Sequence, residues 1–238
     1  MGFVKISSRM LMMTATVQCS AFFPFVNKQG QQRQLSESVP HHETVGKRIS
    51  APASELVKKF WRDTKEYHHF LESEGERDVH VGEWSSSNPT PDEDMTCWAP
   101  ELTFSESEVL SASTRTVLAS HRAPFTLFTT HATKEQWIYE LNNGSFIFDE
   151  RSTVKGVPFT DKFKILQRIC ANDRPERDDC CQIDGFMQLV WFAKDDPFLP
   201  VNFIEHNAFK ECQAHQHAMA NYAAFLTQAN NEHEKQGN

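Results

Sequence analysis

The order of two patterns constrains this chain most: a long stretch of strand-like alternation comes first, and one long amphipathic helix comes last. Between about Pro200 and Ala229, apolar side chains recur every three or four residues, the spacing of a helix with one buried face. A single helix of this length can cover a whole sheet, which favours an α+β fold over alternating βαβ units. The buried stripe is predicted to contain Val201, Ile204, Ala208, Cys212, His215, Met219, Tyr222 and Leu226, and the opposite face Glu205, Gln213, Gln216 and Asn221.

Alternating apolar and polar residues predict the sheet. The clearest feature is a hairpin with strands at 136–141 and 145–151, joined by an Asn-Asn-Gly turn whose residues tolerate positive φ. Residues 101–124 are rich in Ser, Thr and Val and predict two strands, and residues 161–173 predict another. Residues 180–194 are apolar on both faces, which is typical of a strand in the middle of a sheet.

The beginning of the domain predicts a strand and a short helical region. Residues 41–52 alternate as a strand, and Pro52 has the fixed φ that suits the first turn of a helix over 53–63. A further helical segment fits residues 66–74, and a short strand fits residues 78–87. The whole order predicts an α+β fold in which a curved antiparallel sheet wraps around the long last helix, a shape that usually encloses a cavity.

The two ends of the chain differ from the domain between them. Residues 1–39 form a basic, poorly ordered leader and linker, in which four basic side chains precede the first acidic one. The apolar stretch at 10–26 is interrupted by polar residues, so it predicts a targeting segment or a loosely packed leader and not a membrane-spanning helix. We expect the folded domain at 40–229 and a polar tail at 230–238. The protein is then cytoplasmic and peripheral to membranes, or organellar if residues 1–26 are a targeting segment.

Composition argues against several classes of function. The formal net charge of −8 is unsuited to a surface that binds nucleic acid phosphates. The six cysteines lack the density and spacing of a secreted disulfide scaffold, so we expect a reducing compartment. His215 and His217 would point about 200° apart on a helix, and no HExxH or CxxC motif accompanies them, so no metal or other cofactor is predicted. Motifs for a serine nucleophile elbow, a phosphate loop or a dinucleotide-binding turn are missing as well.

Five short motifs occur in a characteristic order over roughly residues 40–229. The motifs are ISAPASELVKKFW, GEW at 82–84, STRTVLASHRAP containing Arg115, KGVPFTDKFKILQRIC from Lys155, and VWFAKDDPFLPVNFIEHNA leading into the last helix. Their order resembles the VASt domain, a relative of StAR-related lipid-transfer (START) domains. The resemblance implies a helix-grip fold with an internal hydrophobic cavity that binds one sterol or similar lipid, and a role in lipid transport between membranes.

Aromatic and aliphatic side chains are the candidates for lining such a pocket, because a sterol gains most of its binding energy from buried apolar area. Each of them taken singly fits a packed core better, since alternation gives the side of a sheet and not the presence of a void. The candidate ligand-binding residues are Phe60, Trp84, Arg115, Trp137, Phe146, Phe148, Phe163, Phe186, Ile204 and Ala208.

Arg115 is the polar member of this set. An unpaired guanidinium is costly to bury, so Arg115 either faces solvent or meets an acid such as Glu205. A buried polar group could otherwise fix the hydroxyl of a sterol through a hydrogen bond.

Two other functions stay open from the sequence. One is a pocket enzyme of the same fold, cyclase-like, with Asp149, Glu150, Asp161 and His131 as possible groups, although no catalytic residue is predicted. The other is a packed domain without a cavity that only binds proteins. If the chain carries lipid, its membrane contact should be transient and made through exposed apolar loop residues such as Phe159 and Phe198.

Overall fold

The computed structural model describes residues 42–87, 98, 102–122, 129–156, 159–174, 177–192, 194 and 196–236. The expected leader (1–39) and most of the Pro-rich loop 86–100 lie outside the described residues. The elements are, in chain order, β1 (His42–Ile49), α1 (Ala53–Leu56), which continues as a π-helical turn (Val57–Trp61), α2 (Thr64–Ser73), β2 (Arg77–Val81), β3 (Ser85–Ser86), β4 (Val109–Arg122), β5 (Thr129–Leu141), β6 (Phe146–Lys155), β7 (Phe163–Arg174), β8 (Arg177–Trp191) and α3 (Val201–Gln236).

Within the described residues, eight strands form one antiparallel sheet. Its order is β1-β8-β7-β6-β5-β4-β2, and the short β3 pairs with β4. The last helix, α3, packs against β1, β8, α1 and the π-helical turn. A curved antiparallel sheet around one C-terminal helix is the helix-grip arrangement, so the predicted fold class is confirmed. Below, the face of the sheet toward α3 is called the inner face, and the other the outer face.

The sheet agrees with the sequence prediction where contacts are local. The hairpin of β5 and β6 is confirmed, and Gly144 in its turn has a φ of +82°. The prediction of two strands within 101–124 is wrong, because β4 is one strand of 14 residues. Nothing between Val109 and Arg122 is a Gly, Pro, Asn or Asp that would form a turn, and β4 pairs with β5 along its whole length.

β8 and α3 differ from expectation in detail. β8 is paired on both sides, but it lies next to the edge strand β1 and not in the middle of the sheet. α3 continues beyond Ala229 to Gln236, because the polar run there contains no Gly or Pro before the helix ends. The predicted stripe faces the sheet, and Ile204, Cys212 and Met219 are buried.

Apolar side chains form three clusters. The main cluster joins α1, the π-helical turn, α2 and the C-terminal half of α3 to the inner face. The second cluster lies between the N-terminal half of α3 and the ends of β7 and β8. The third, around Trp98 and Leu166, lies on the outer face, where Leu102 also packs. Among the described helices, none is both long and apolar enough to cross a membrane.

Candidate functional site

A row of polar side chains crosses the inner face of the sheet. The strand register places Arg115 on β4 opposite Gln136 on β5, Gln136 opposite Glu150 on β6, and Glu150 opposite Gln167 on β7. Side chains directly opposite each other point to the same face, and all four residues are buried. We call these four residues the polar row.

Hydrogen bonds join the polar row from strand to strand. Arg115 Nε donates to Gln136 Oε1 at 2.7 Å, and Gln136 Nε2 donates to Glu150 Oε2 at 2.6 Å. Gln167 Nε2 donates to Glu150 Oε1 at 3.1 Å. Burying a polar group is costly unless its hydrogen bonds are made, so these hydrogen bonds fix the relative positions of the four side chains.

The row continues into the last helix through Gln216. Gln216 Nε2 donates to Gln167 Oε1 at 3.2 Å, and Thr44 Oγ1 on β1 donates to Gln216 Oε1. The sheet has a glycine where this side chain arrives: a Cβ on Gly185 would lie 2.1 Å from Gln216 Oε1 and 2.5 Å from Val45 Cγ1. Gly185 therefore provides the space that lets α3 bond to the sheet.

The prediction that Gln216 faces away from the sheet is wrong, because its side chain is fully buried. Gln216 follows Cys212 by four residues, so the two share one face of the helix. The prediction rested on the polarity of Gln216 and not on its position in the helical repeat.

Glu150 is the centre of the charge arrangement. It also accepts a hydrogen bond from Ser152 Oγ at 2.7 Å. Burial raises the pKa of Glu150, but the charge of Lys134 and the hydrogen bonds outweigh burial and lower it, so the carboxylate is ionised at neutral pH. Lys134 Nζ lies 3.6 Å from Glu76, and both carboxylates raise the pKa of Lys134 against the effect of burial.

Arg115 lies at the other end of the row, between two aromatic rings. The guanidinium carbon is 4.3 Å from the ring centroids of both Tyr67 and Trp84, and the side chain is 4% exposed. Among the described residues, Nη1 and Nη2 have no hydrogen-bond acceptor. Burial lowers the pKa of Arg115 to about 10, which still leaves it charged at neutral pH. The expectation that it faces solvent or pairs with Glu205 is therefore wrong.

Glu205 is engaged elsewhere. Its Oε1 accepts from Trp191 Nε1 at 3.1 Å and lies 3.4 Å from Lys194 Nζ. It therefore stabilises the junction between β8 and the first turns of α3.

Apolar side chains flank the polar row on both sides. Toward the main cluster, the next row of the sheet consists of Ile138, Phe148 and Ile169. A cavity of about 10 Å³ lies there, which is room for about one water molecule. Toward the second cluster, Ile165 on β7 lies opposite Leu189 on β8. The cavity is lined by Val57, Trp61, Ile138, Phe146, Ile147, Phe148, Ile169 and Ala171.

We call the inner face of the sheet, together with the helices packed on it, the inner region. Eight of the ten predicted site residues belong to it. Phe60, Phe146 and Phe148 lie in the main cluster, with Trp84 packed against it, and Arg115 belongs to the polar row. The second cluster contains the other three, Phe163, Ile204 and Ala208. Their contact with a ligand stays a prediction.

Trp137 and Phe186 are not brought to the inner region. Both pack in the third cluster with Trp98 and Leu166. Side chains alternate along a strand, and the neighbours of Trp137, Gln136 and Ile138, face inward, so Trp137 must face outward.

Most of the polar row was not predicted from the sequence. Gln136, Gln167 and the neighbouring Lys134 were not among the candidate residues, and Glu150 was considered only as a possible enzyme group. Lys134, Gln136 and Ile138 do alternate in phase, which is the one signal that could have placed them on a single face. Among the described residues, no group of three or more His, Cys, Asp or Glu side chains is arranged to hold a metal ion.

His215 on α3 leads to a prediction of how the stability of the protein depends on pH. Burial, helped by the positive charge of Lys134, lowers the pKa of His215 on α3 from 6.5 to about 4, and Nε2 is shielded without a partner among the described residues. The native state therefore stays neutral where the unfolded chain takes up a proton. Stability should be complete above about pH 6.5 and decrease by up to about 3 kcal/mol as the pH falls to 4.

Chemical denaturation of the His215→Gln variant at several pH values measures this term. The variant should lose that part of the pH dependence. His217→Gln, at an exposed position of the same helix, is the matched control and should keep the wild-type profile. If the stability of His215→Gln depended on pH as that of the wild type does, His215 would not be the source of the pH dependence.

Comparison with known proteins identifies a family model and solved structures that are similar to this chain. The family model of VASt, the VAD1 Analog of StAR-related lipid transfer domain, matches residues 43–211. No curated protein matches the sequence significantly. Among solved structures, the chain is similar to the crystal structure of Ara h 8.0201, with 12% sequence identity and a TM-score of 0.44 over 80% of this chain and 99% of that chain. The family match covers well over half of the chain, from β1 into α3, and the chain belongs to the VASt family of StAR-related lipid-transfer-like domains.

Proposed function

We propose that this protein binds one sterol or similar lipid between the inner face of its sheet and α3, and transfers it between membranes. The observation that carries the proposal is the second cluster in a domain of a lipid-transfer-like family. Large apolar side chains from the sheet, from the turn before β7 and from α3 meet there and yet remain only half-buried, whereas a packed core would bury them. They are Phe159, Phe163, Ile165, Trp191, Val201 and Phe209.

The small cavity of the main cluster argues against a lipid at that site. Pockets for small ligands measure roughly 300–1,000 Å³. The cavity of about 10 Å³ in the main cluster is far too small for a lipid. Covering the half-buried side chains with a lipid would contribute roughly 25 cal/mol per Å² of apolar surface removed from water.

Membrane contact is proposed at the same end of the molecule. Phe198 before α3 is 84% exposed, and Phe203 and Phe192 are about half exposed, at 46% and 42%. Lys164 Nζ lies 5.3 Å from the ring centroid of Phe192. Exposed aromatic rings beside lysines suit the interface between lipid head groups and acyl chains. Phe159, which was also predicted from the sequence to contact the membrane, is half-buried in the second cluster.

Replacing Phe198 with Asp should slow the transfer of a fluorescent sterol between donor and acceptor vesicles by about 10- to 150-fold. The loss corresponds to the free energy of burying one Phe side chain in the interface, about 1.5–3 kcal/mol. Sterol affinity in solution should not change, because this side chain points away from the inner region.

The matched control is Phe225→Asp, which changes an equally aromatic, 64% exposed position on the C-terminal half of α3. Its transfer rate should equal that of the wild type. Equal rates for both variants and the wild type would contradict the proposed membrane surface.

We also propose that the domain is not an enzyme. Glu150 accepts three side-chain hydrogen bonds and has a lowered pKa, so it is a poor general base. Asp149 pairs with Arg168, and Asp161 and His131 are exposed, so the four groups named from the sequence do not converge. A domain without any bound lipid would instead favour the protein-interaction function.

A further inference from the structure

We propose that Arg115 binds the head group of the lipid, and that this head group is a carboxylate. The inference rests on the proposed lipid-binding function and specifies the ligand class. It assigns Arg115 as the ion-pairing partner of a fatty acid or a sterol-like acid.

The first step is the missing counter-ion. The other buried cations of the sheet have one: Arg168 lies 2.5 Å from Asp149, and Lys134 lies 3.6 Å from Glu76. Arg115 is equally buried, but no carboxylate of the described residues is within 4.0 Å of its guanidinium. Buried charges in proteins are nearly always paired, so this arginine is arranged for a partner that the fold does not provide.

The second step is the direction of the unused donors. Rings of Tyr67 and Trp84 cover both faces of the guanidinium, and Nε is engaged by Gln136. Only the edge formed by Nη1 and Nη2 is left. A guanidinium donates and never accepts, so its partner must be an acceptor, and two neighbouring nitrogens match the two oxygens of a carboxylate.

The third step is the size of the head group. Nη1 and Nη2 are shielded from solvent, so a ligand reaches them only by displacing neighbouring side chains, which favours a small planar group over a bulkier phosphodiester. Trp84 is half-buried, lies between β2 and β3, and forms the outer wall of the site through a hydrogen bond of its Nε1 to Trp61 O at 3.0 Å. β4 and β7 are three strand spacings apart, about 14 Å, so a long ligand can reach from Arg115 to the second cluster.

The test compares two ligands that differ only in the head group. Oleate and oleyl alcohol are titrated at neutral pH and below their aggregation limits into the 238-residue chain, with displacement of a fluorescent sterol as the signal. The wild type should bind oleate about tenfold or more tightly than the alcohol, as a charge-assisted bidentate pair requires. Arg115→Met should bind both with the affinity that the wild type has for the alcohol. Arg77→Met, at an exposed arginine on β2, should keep the wild-type preference.

The outcomes separate this inference from the proposed function. If the sterol and the alcohol bind the wild type and oleate binds no more tightly, the carboxylate assignment is overturned and lipid binding stands. If oleate, oleyl alcohol and the sterol all fail to bind, both the carboxylate assignment and the proposed lipid-binding function are wrong. The wild-type comparison needs no variant, so it decides the question even if Arg115→Met does not fold.

Discussion

Replacing Glu150 with Gln should lower the free energy of unfolding by about 3 kcal/mol or more, because it removes a buried carboxylate that balances nearby positive charge. Glu150 attracts Lys134, acts on Arg115 at longer range across Gln136, and accepts the hydrogen bonds that hold the polar row together. The amide of a glutamine would also turn one donor toward another donor of the row. Urea denaturation followed by fluorescence measures the change.

Glu135→Gln is the matched control. Glu135 lies on the same hairpin and pairs with Arg151 at 2.8 Å, but its side chain is 40% exposed. Exposed ion pairs contribute about 1 kcal/mol or less, so this variant should stay close to the wild type. If Glu150→Gln were as stable as Glu135→Gln, the polar row would not be the stabilising centre of the inner face.

Replacing Asp149 with Ala should destabilise the protein by about 3–5 kcal/mol, the usual cost of breaking a buried ion pair from one side. Arg168 Nε and Nη2 donate to the two oxygens of Asp149 at 2.6 and 2.5 Å. Arg168 also donates to Leu102 O and lies 5.1 Å from the ring centroid of Trp98. Without Asp149 this guanidinium is left buried and uncompensated, and the packing of Trp98 on the outer face is weakened.

An exposed pair provides the comparison for Asp149. Asp161, whose side chain is 74% exposed, pairs with Lys162 at 3.3 Å, and Asp161→Ala should cost less than about 1 kcal/mol. The double variant Asp149→Ala/Arg168→Leu should recover much of the loss, since it removes both charges. A double variant less stable than Asp149→Ala would contradict the ion-pair explanation.

The fold was predictable where neighbouring residues determine it. The β5–β6 hairpin has both its strands and its turn within 27 consecutive residues, and the apolar stripe of α3 follows from the helical period alone. β4 was divided in error because the alternation within residues 101–124 does not show how many strands it forms, whereas pairing with β5 keeps the strand continuous. Pairing with β5, and not the local sequence, therefore determines the length of β4.

The polar row was not predictable, because it depends on the register of four strands and on one helix. Arg115, Gln136 and Glu150 look like ordinary polar positions of half-exposed strands until the register aligns them. Gln216 is buried only because Gly185 leaves space for it on a strand far from it in sequence. Such contacts between distant residues leave no periodic signal in a single sequence.

The central claim, a lipid bound between the inner face and α3, is tested most directly by native mass spectrometry of the protein purified from a eukaryotic host, followed by extraction and identification of the bound molecule. Ala208→Trp fills the second cluster from the helix side, and Ala214→Trp places the same side chain at an exposed position of α3. We expect a one-to-one lipid adduct for the wild type and Ala214→Trp, and its loss in Ala208→Trp. A wild-type protein of bare mass that also fails to bind added lipid would contradict the claim.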